Sequence, residues 1–210
     1  MMQWISNGVY QFQKHCDRLM AKSFDKIWLF FGITPNVLTI ARFIGTAILW
    51  ALFLTETNAS DFWNYSILAL FIITALTDLW DGALARNTNQ VTHIGTLLDP
   101  LADKLLIGSV LYFLAATLAH WTLYMIIFLE AMMIVLNIIF YMVWESKIKG
   151  ANAYGKLKMG LEVVFVAMLL LGVYQQSPDI ITAGYYIGGV AVFFAIISML
   201  KGIQDSASAL

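Results

Sequence analysis

Four aspartates, Asp78, Asp81, Asp99 and Asp103, fall within the stretch TDLWDGALARNTNQVTHIGTLLDPLADK, which is flanked on both sides by long apolar segments. An ionisable group at the centre of a membrane helix costs about 2.5–3.5 kcal/mol on insertion scales. Four unpaired carboxylates there would cost on the order of 10 kcal/mol, comparable with the ~5–15 kcal/mol stability of a whole domain. Positions near a membrane face lower the penalty, and bound cations lower it further. On a helix, Asp78, Asp81, Gly82 and Ala85 share one side with Arg86 beside them, because neighbours three, four and seven positions on lie together. Gly95, Asp99 and Asp103 repeat that spacing. The intervening NTNQVTHIG is short enough to make the two helices antiparallel neighbours, so the two carboxylate pairs can face one another. Converging hard oxygen donors suit Mg²⁺ or Mn²⁺ rather than zinc, as neither a cysteine nor a histidine pair accompanies them. His93 in the same loop reads as a loop or headgroup contact.

Gly82, Ala85 and Gly95 leave space beside the carboxylates. Small residues there either admit a bulky polar ligand or let helices pack closely, and spacing alone does not separate the two. Arg86 adds a planar cation that matches phosphate oxygens. A divalent cation, an arginine and open space together point to a phosphorylated or diphosphate ligand.

The elements that must hold these groups are membrane helices. The 210 residues are 60% hydrophobic and 12% charged, with a mean hydropathy of +0.77, too apolar for an ordinary soluble domain. The net charge of −1 implies no nucleic-acid partner. The single cysteine, Cys16, has no partner for an intramolecular disulfide and no zinc-type spacing around it. A bilayer core takes about 20 apolar residues per helix, and six segments qualify, near 37–54, 63–82, 97–118, 122–144, 157–175 and 180–200. Thr34-Pro35-Asn36 reads as a helix start, Thr55 to Ser60 as a polar loop, and Ser177-Pro178-Asp179 as a turn.

Residues 1–33 alternate Trp4, Val9, Phe12, Leu19, Phe24, Trp28 and Leu29 with Lys14, Arg18, Lys22 and Lys26. Those charges interrupt any signal-peptide core, and the pattern predicts an amphipathic juxtamembrane helix at the headgroup layer. The expected fold is all-α: a polytopic membrane protein, one domain over 1–210, with that N-terminal segment followed by a six-helix bundle over 34–210. With six spans, Arg42, Arg86, Lys104, Lys147, Lys149, Lys156, Lys158 and Lys201 all fall on the side of the N-terminal lysines. The opposite loops carry only Glu56, Asp61, His120 and Asp179. The positive-inside rule then makes both termini, and the four aspartates, cytoplasmic.

The pattern Asp78-x2-Asp81-Gly82-x2-Ala85-Arg86-x8-Gly95-x3-Asp99-x3-Asp103 resembles the complete signature of the CDP-alcohol phosphatidyltransferases, with all eight defined positions at the right spacing. TPNVLTIAR before it, LDPLADK within it and GKLK near position 156 extend the likeness, which is greatest to the phosphatidylglycerophosphate synthase branch. The resemblance implies attack by an alcohol on the β-phosphate of CDP-diacylglycerol, giving a phosphodiester and CMP. It implies that Asp78, Asp81 and Asp99 hold two divalent ions, Mg²⁺ or Mn²⁺, with Asp103 completing the set and acting as general base. It assigns Gly82, Ala85, Arg86 and Gly95 to the cytidine diphosphate, and implies a homodimer in a bacterial inner membrane.

For a small phosphorylated acceptor such as glycerol 3-phosphate, Arg42, Lys156 and Lys158 are the expected contacts. Lys147 and Lys149 read equally well as topogenic charges. One departure stands out: Leu129-Glu130 occupies the place where the synthase branch has Arg-Glu. Glu162, four residues after Lys158, is spaced to pair with it, and Glu130 suits either the acceptor pocket or a subunit contact. Other acceptors within the family remain open: phosphatidylglycerol, inositol phosphate or serine. An intramembrane prenyltransferase would need an aspartate where Ala85 stands. A divalent-cation carrier would use the four aspartates but leaves Arg86 without a purpose.

Overall fold

The computed structural model describes residues 35–55, 61–88, 93–144 and 153–207, together with Gln11. The expected amphipathic segment 1–33, Lys147 and Lys149 lie outside the described residues. Among the described residues six helices follow one another: α1 (Pro35–Thr55), α2 (Asp61–Thr88), α3 (His93–Leu118), α4 (Trp121–Trp144), α5 (Ala153–Tyr174) and α6 (Pro178–Ala207). All regular structure among the described residues is helical. Four stretches, Val37–Thr55, Leu101–Leu118, Leu157–Tyr174 and Pro178–Gly202, are long and apolar enough to cross a membrane, while Phe62–Thr77 and Trp121–Val135 are shorter apolar stretches. Phe62, Leu54, Tyr112, Phe193 and Tyr186 expose most of their surface. Such side chains are at ease against lipid and costly against water. The chain is an integral membrane protein by these lengths and compositions.

It divides into two compact units, one running through Ser109 and one from Val110 onward. In the first, α1 packs on α2 because Gly45 removes a side chain where Thr74 passes. A Cβ on Gly45 would stand 2.6 Å from Thr74 Oγ1, and that hydroxyl is held by donating to the Leu70 carbonyl at 2.7 Å. Leu38, Leu49, Ile67, Phe71, Ala102 and Leu106 are buried here. Trp50 Nε1 donates to Ser109 Oγ at 2.7 Å, joining α1 to α3. Helix α3 continues through Pro100, which cannot donate the ladder hydrogen bond to the Thr96 carbonyl.

In the second unit, α5 and α6 form a tight hairpin and α4 packs on α6. Gly188 permits that contact, since a Cβ would meet the Phe165 ring at 2.8 Å and Thr122 Cγ2 at 3.0 Å. The α5–α6 connection is a Schellman motif: Ser177 N–H donates to the Gly172 carbonyl at 2.9 Å and Gln176 N–H to that of Val173 at 3.2 Å. The left-handed residue such a motif requires is Gln176, at φ 50°. Between α3 and α4, Ala119 takes the same role at φ 45°. His120 then starts α4 by accepting at Nδ1 from the Thr122 N–H, 3.3 Å away.

Candidate functional site

The eight motif positions are divided between two helices. Asp78, Asp81, Gly82, Ala85 and Arg86 belong to the last turns of α2, and Gly95, Asp99 and Asp103 to the first turns of α3. The side chains of Asp78, Asp81, Arg86 and Asp99 lie outside the described part of the structure, as do those of His93 and Lys156. Among the described residues no group of three metal-ligating side chains occurs, and Asp103 is the member of the quartet whose side chain is described.

Asp103 is paired. Arg42, on α1, donates from Nη1 to Asp103 Oδ1. The arginine side chain is 0% exposed and the aspartate 18%. Arg42 Nε also points to Thr77 Oγ1, at 3.4 Å, and the Thr77 hydroxyl donates to the Thr74 carbonyl at 2.6 Å. Thr46 closes the arrangement on α1, donating to the Arg42 carbonyl at 2.9 Å. One guanidinium therefore touches α2 at the residue before Asp78 and α3 at the last motif aspartate. A buried cation needs a carboxylate and hydrogen bonds to be tolerated, and this one has both. The sequence flagged Arg42 as a topogenic charge and acceptor contact. Its partners could have been sought by one signal, a cation inside an apolar helix, which requires an intramembrane counter-charge.

The other acceptor candidate with a described side chain is also engaged. Lys158 on α5 donates to Glu130 Oε1 of α4 and lies 3.5 Å from Glu162 Oε2, four residues on. All three are buried. Glu162 thus has the partner its spacing anticipated. Glu130 faces a lysine within its own chain. One carboxylate suffices to balance the ammonium, so the trio offers a phosphate no net positive charge.

The fold and the motif define an apolar helical membrane protein with two acidic helix ends. Comparison with known proteins makes the class specific: residues 32–200 match the family model described as CDP-alcohol phosphatidyltransferase. The chain belongs to that family. It is 34% identical over 133 residues to a protein of Bacillus subtilis, covering 61% of this chain and 67% of that one. It is 31% identical over 172 residues to one of Wigglesworthia glossinidia brevipalpis, covering 80% and 91%. Both relatives are named CDP-diacylglycerol--glycerol-3-phosphate 3-phosphatidyltransferase. A Streptomyces coelicolor protein named cardiolipin synthase (CMP-forming) is 38% identical over 107 residues, 49% of this chain and 48% of its own.

Proposed function

We propose that this chain transfers the phosphatidyl group of CDP-diacylglycerol to glycerol 3-phosphate in phospholipid synthesis. The observation that carries it is the complete eight-position motif on α2 and α3, in a chain that spans nearly the whole of a relative named for that reaction.

The residues fit a divalent metal. Asp78 and Asp81 are three apart on unbroken helix, Asp99 and Asp103 four apart, and the donors are all hard oxygens. The Asp103 side chain keeps 18% of its surface exposed. Asp78, Asp81, Asp99 and Asp103 would hold two Mg²⁺ or Mn²⁺ ions, which when bound would neutralise charge developing on the leaving phosphate. Gly82, Ala85 and Gly95 would leave room for the cytidine diphosphate, and Arg86 would bind its oxygens. The acceptor hydroxyl oxygen forms a bond to the phosphatidyl phosphorus while the bond from that phosphorus to the CMP oxygen breaks. The hydroxyl proton passes to Asp103, which must stand within hydrogen-bond reach of it. Lys156 remains the acceptor-phosphate candidate, because Lys158 is neutralised by Glu130 and Glu162.

The same reading takes the chain as a homodimer with six spans, and places both termini and the site on the cytoplasmic side of a bacterial inner membrane, as the lysine and arginine distribution supports. Phosphatidylglycerol is the second acceptor to consider, favoured by the likeness to the Streptomyces protein. Purified protein in vesicles, given CDP-diacylglycerol and Mg²⁺, is expected to release CMP with glycerol 3-phosphate and not with phosphatidylglycerol, inositol phosphate or serine. Absence of CMP release with every acceptor would sink the proposal. Mg²⁺ flux into the same vesicles without CDP-lipid would favour a cation carrier instead.

A further inference from the structure

We propose that Arg42 is the positioning residue of Asp103: anchored on Thr77, its guanidinium holds the last motif carboxylate in the orientation from which it takes the acceptor's proton. The inference rests on the transferase reading and on the role given there to Asp103.

Three observations carry it. Arg42 is fully buried and its Nη1 donates to Asp103 Oδ1, so the cation is committed inside the protein rather than presented to a soluble acceptor. Its Nε reaches Thr77 Oγ1, and that hydroxyl is turned by its own donation to the Thr74 carbonyl, which leaves its lone pair toward the arginine. Thr46 holds the Arg42 backbone from the next turn of α1. The guanidinium fork is planar and rigid, so anchoring one edge fixes where the other can donate. A lysine could supply the charge but not the rigid planar fork that fixes one direction relative to the other. Without that anchor a partly exposed aspartate would sample several rotamers, and a general base displaced by about 1 Å loses on the order of 10²-fold in rate.

The test compares Arg42→Met, Arg42→Lys, Thr77→Val and Asp103→Asn in full-length protein in vesicles. It reads CMP release with glycerol 3-phosphate and, separately, equilibrium binding of CDP-diacylglycerol without acceptor. Arg42→Met is expected to reproduce Asp103→Asn: kcat lower by about 10²-fold or more, acceptor KM within about twofold, and CDP-lipid binding retained. Arg42→Lys should recover part of kcat, and Thr77→Val should lose several-fold with KM unchanged. Should Arg42→Met not fold, the lysine and valine variants carry the test, and normal kcat in both overturns the proposal. A raised acceptor KM with kcat preserved in Arg42→Met also overturns it, making Arg42 an acceptor contact. Normal turnover by Arg42→Met beside an inactive Asp103→Asn overturns the proposal alone. Normal turnover by Asp103→Asn overturns the role of Asp103, and the proposal with it.

Discussion

Lys158 of α5 donates to the carboxylate of Glu130 on α4, and both side chains are only 8% exposed. The pair joins two helices at a depth where either charge alone would be expensive, and Glu162 adds a second carboxylate one helical turn away. Removing one partner of a buried ion pair typically costs about 3–5 kcal/mol, because the other charge is left uncompensated. Lys158→Met is therefore expected to lower the unfolding midpoint in detergent markedly. Adding Glu130→Gln to Lys158→Met should recover part of the loss. A Lys158→Met protein as stable as the parent would show that the trio is solvated rather than sealed.

Gly45 is expected to be intolerant of even one methyl group. A Cβ would meet Thr74 Oγ1 at 2.6 Å, and overpacking a close contact costs about 1–3 kcal/mol. Gly45→Ala should destabilise by that order, and Thr74→Ala should relieve it in the double variant. Thermal melts of the four proteins form a double-mutant cycle, and additive losses would refute the clash.

Gln176 offers a change in the opposite direction. A left-handed conformation costs an ordinary side chain about 1–2 kcal/mol relative to glycine, and Gln176 holds φ 50° in the Schellman turn. Gln176→Gly should stabilise the α5–α6 hairpin by about 0.5–1 kcal/mol, part of the gain being offset by the freedom glycine adds to the unfolded chain. A lowered midpoint would contradict the turn geometry.

Removal of divalent cations is expected to abolish CMP release, with Mg²⁺ or Mn²⁺ restoring it. Asp78→Asn and Asp81→Asn should each reduce kcat by about 10²-fold or more, the order seen when a group that stabilises developing charge is lost. Full activity in excess chelator would refute the metal requirement.

Much of this protein is legible in its sequence because the signals are local. Apolar length announces membrane helices whatever they pack against, and helical spacing of three and four places Asp78 beside Asp81, Asp99 beside Asp103 and Glu162 beside Lys158 without tertiary information. The α5–α6 break was legible from Ser177-Pro178-Asp179. The residue that takes the left-handed conformation was not, since it is Gln176 and no glycine marks the spot. Gly45 and Gly188 look alike in sequence to Gly189 and Gly202, yet only the first two have a neighbour where a Cβ would stand.

What the sequence determined by itself is the kind of molecule and the chemistry it carries: an apolar helical chain with four carboxylates and an arginine at family spacing, all set by composition and by periods of a few residues. What only the tertiary structure decided is the partnership of its buried charges. Arg42 meets a carboxylate 61 positions away and Lys158 one 28 positions away, and no local period encodes which helix faces come together. Both cations read in sequence as available to a phosphate. Burial pairs them instead for a physical reason: a charge withdrawn from water takes the nearest opposite charge the packing provides, and here the packing provides Asp103 and Glu130.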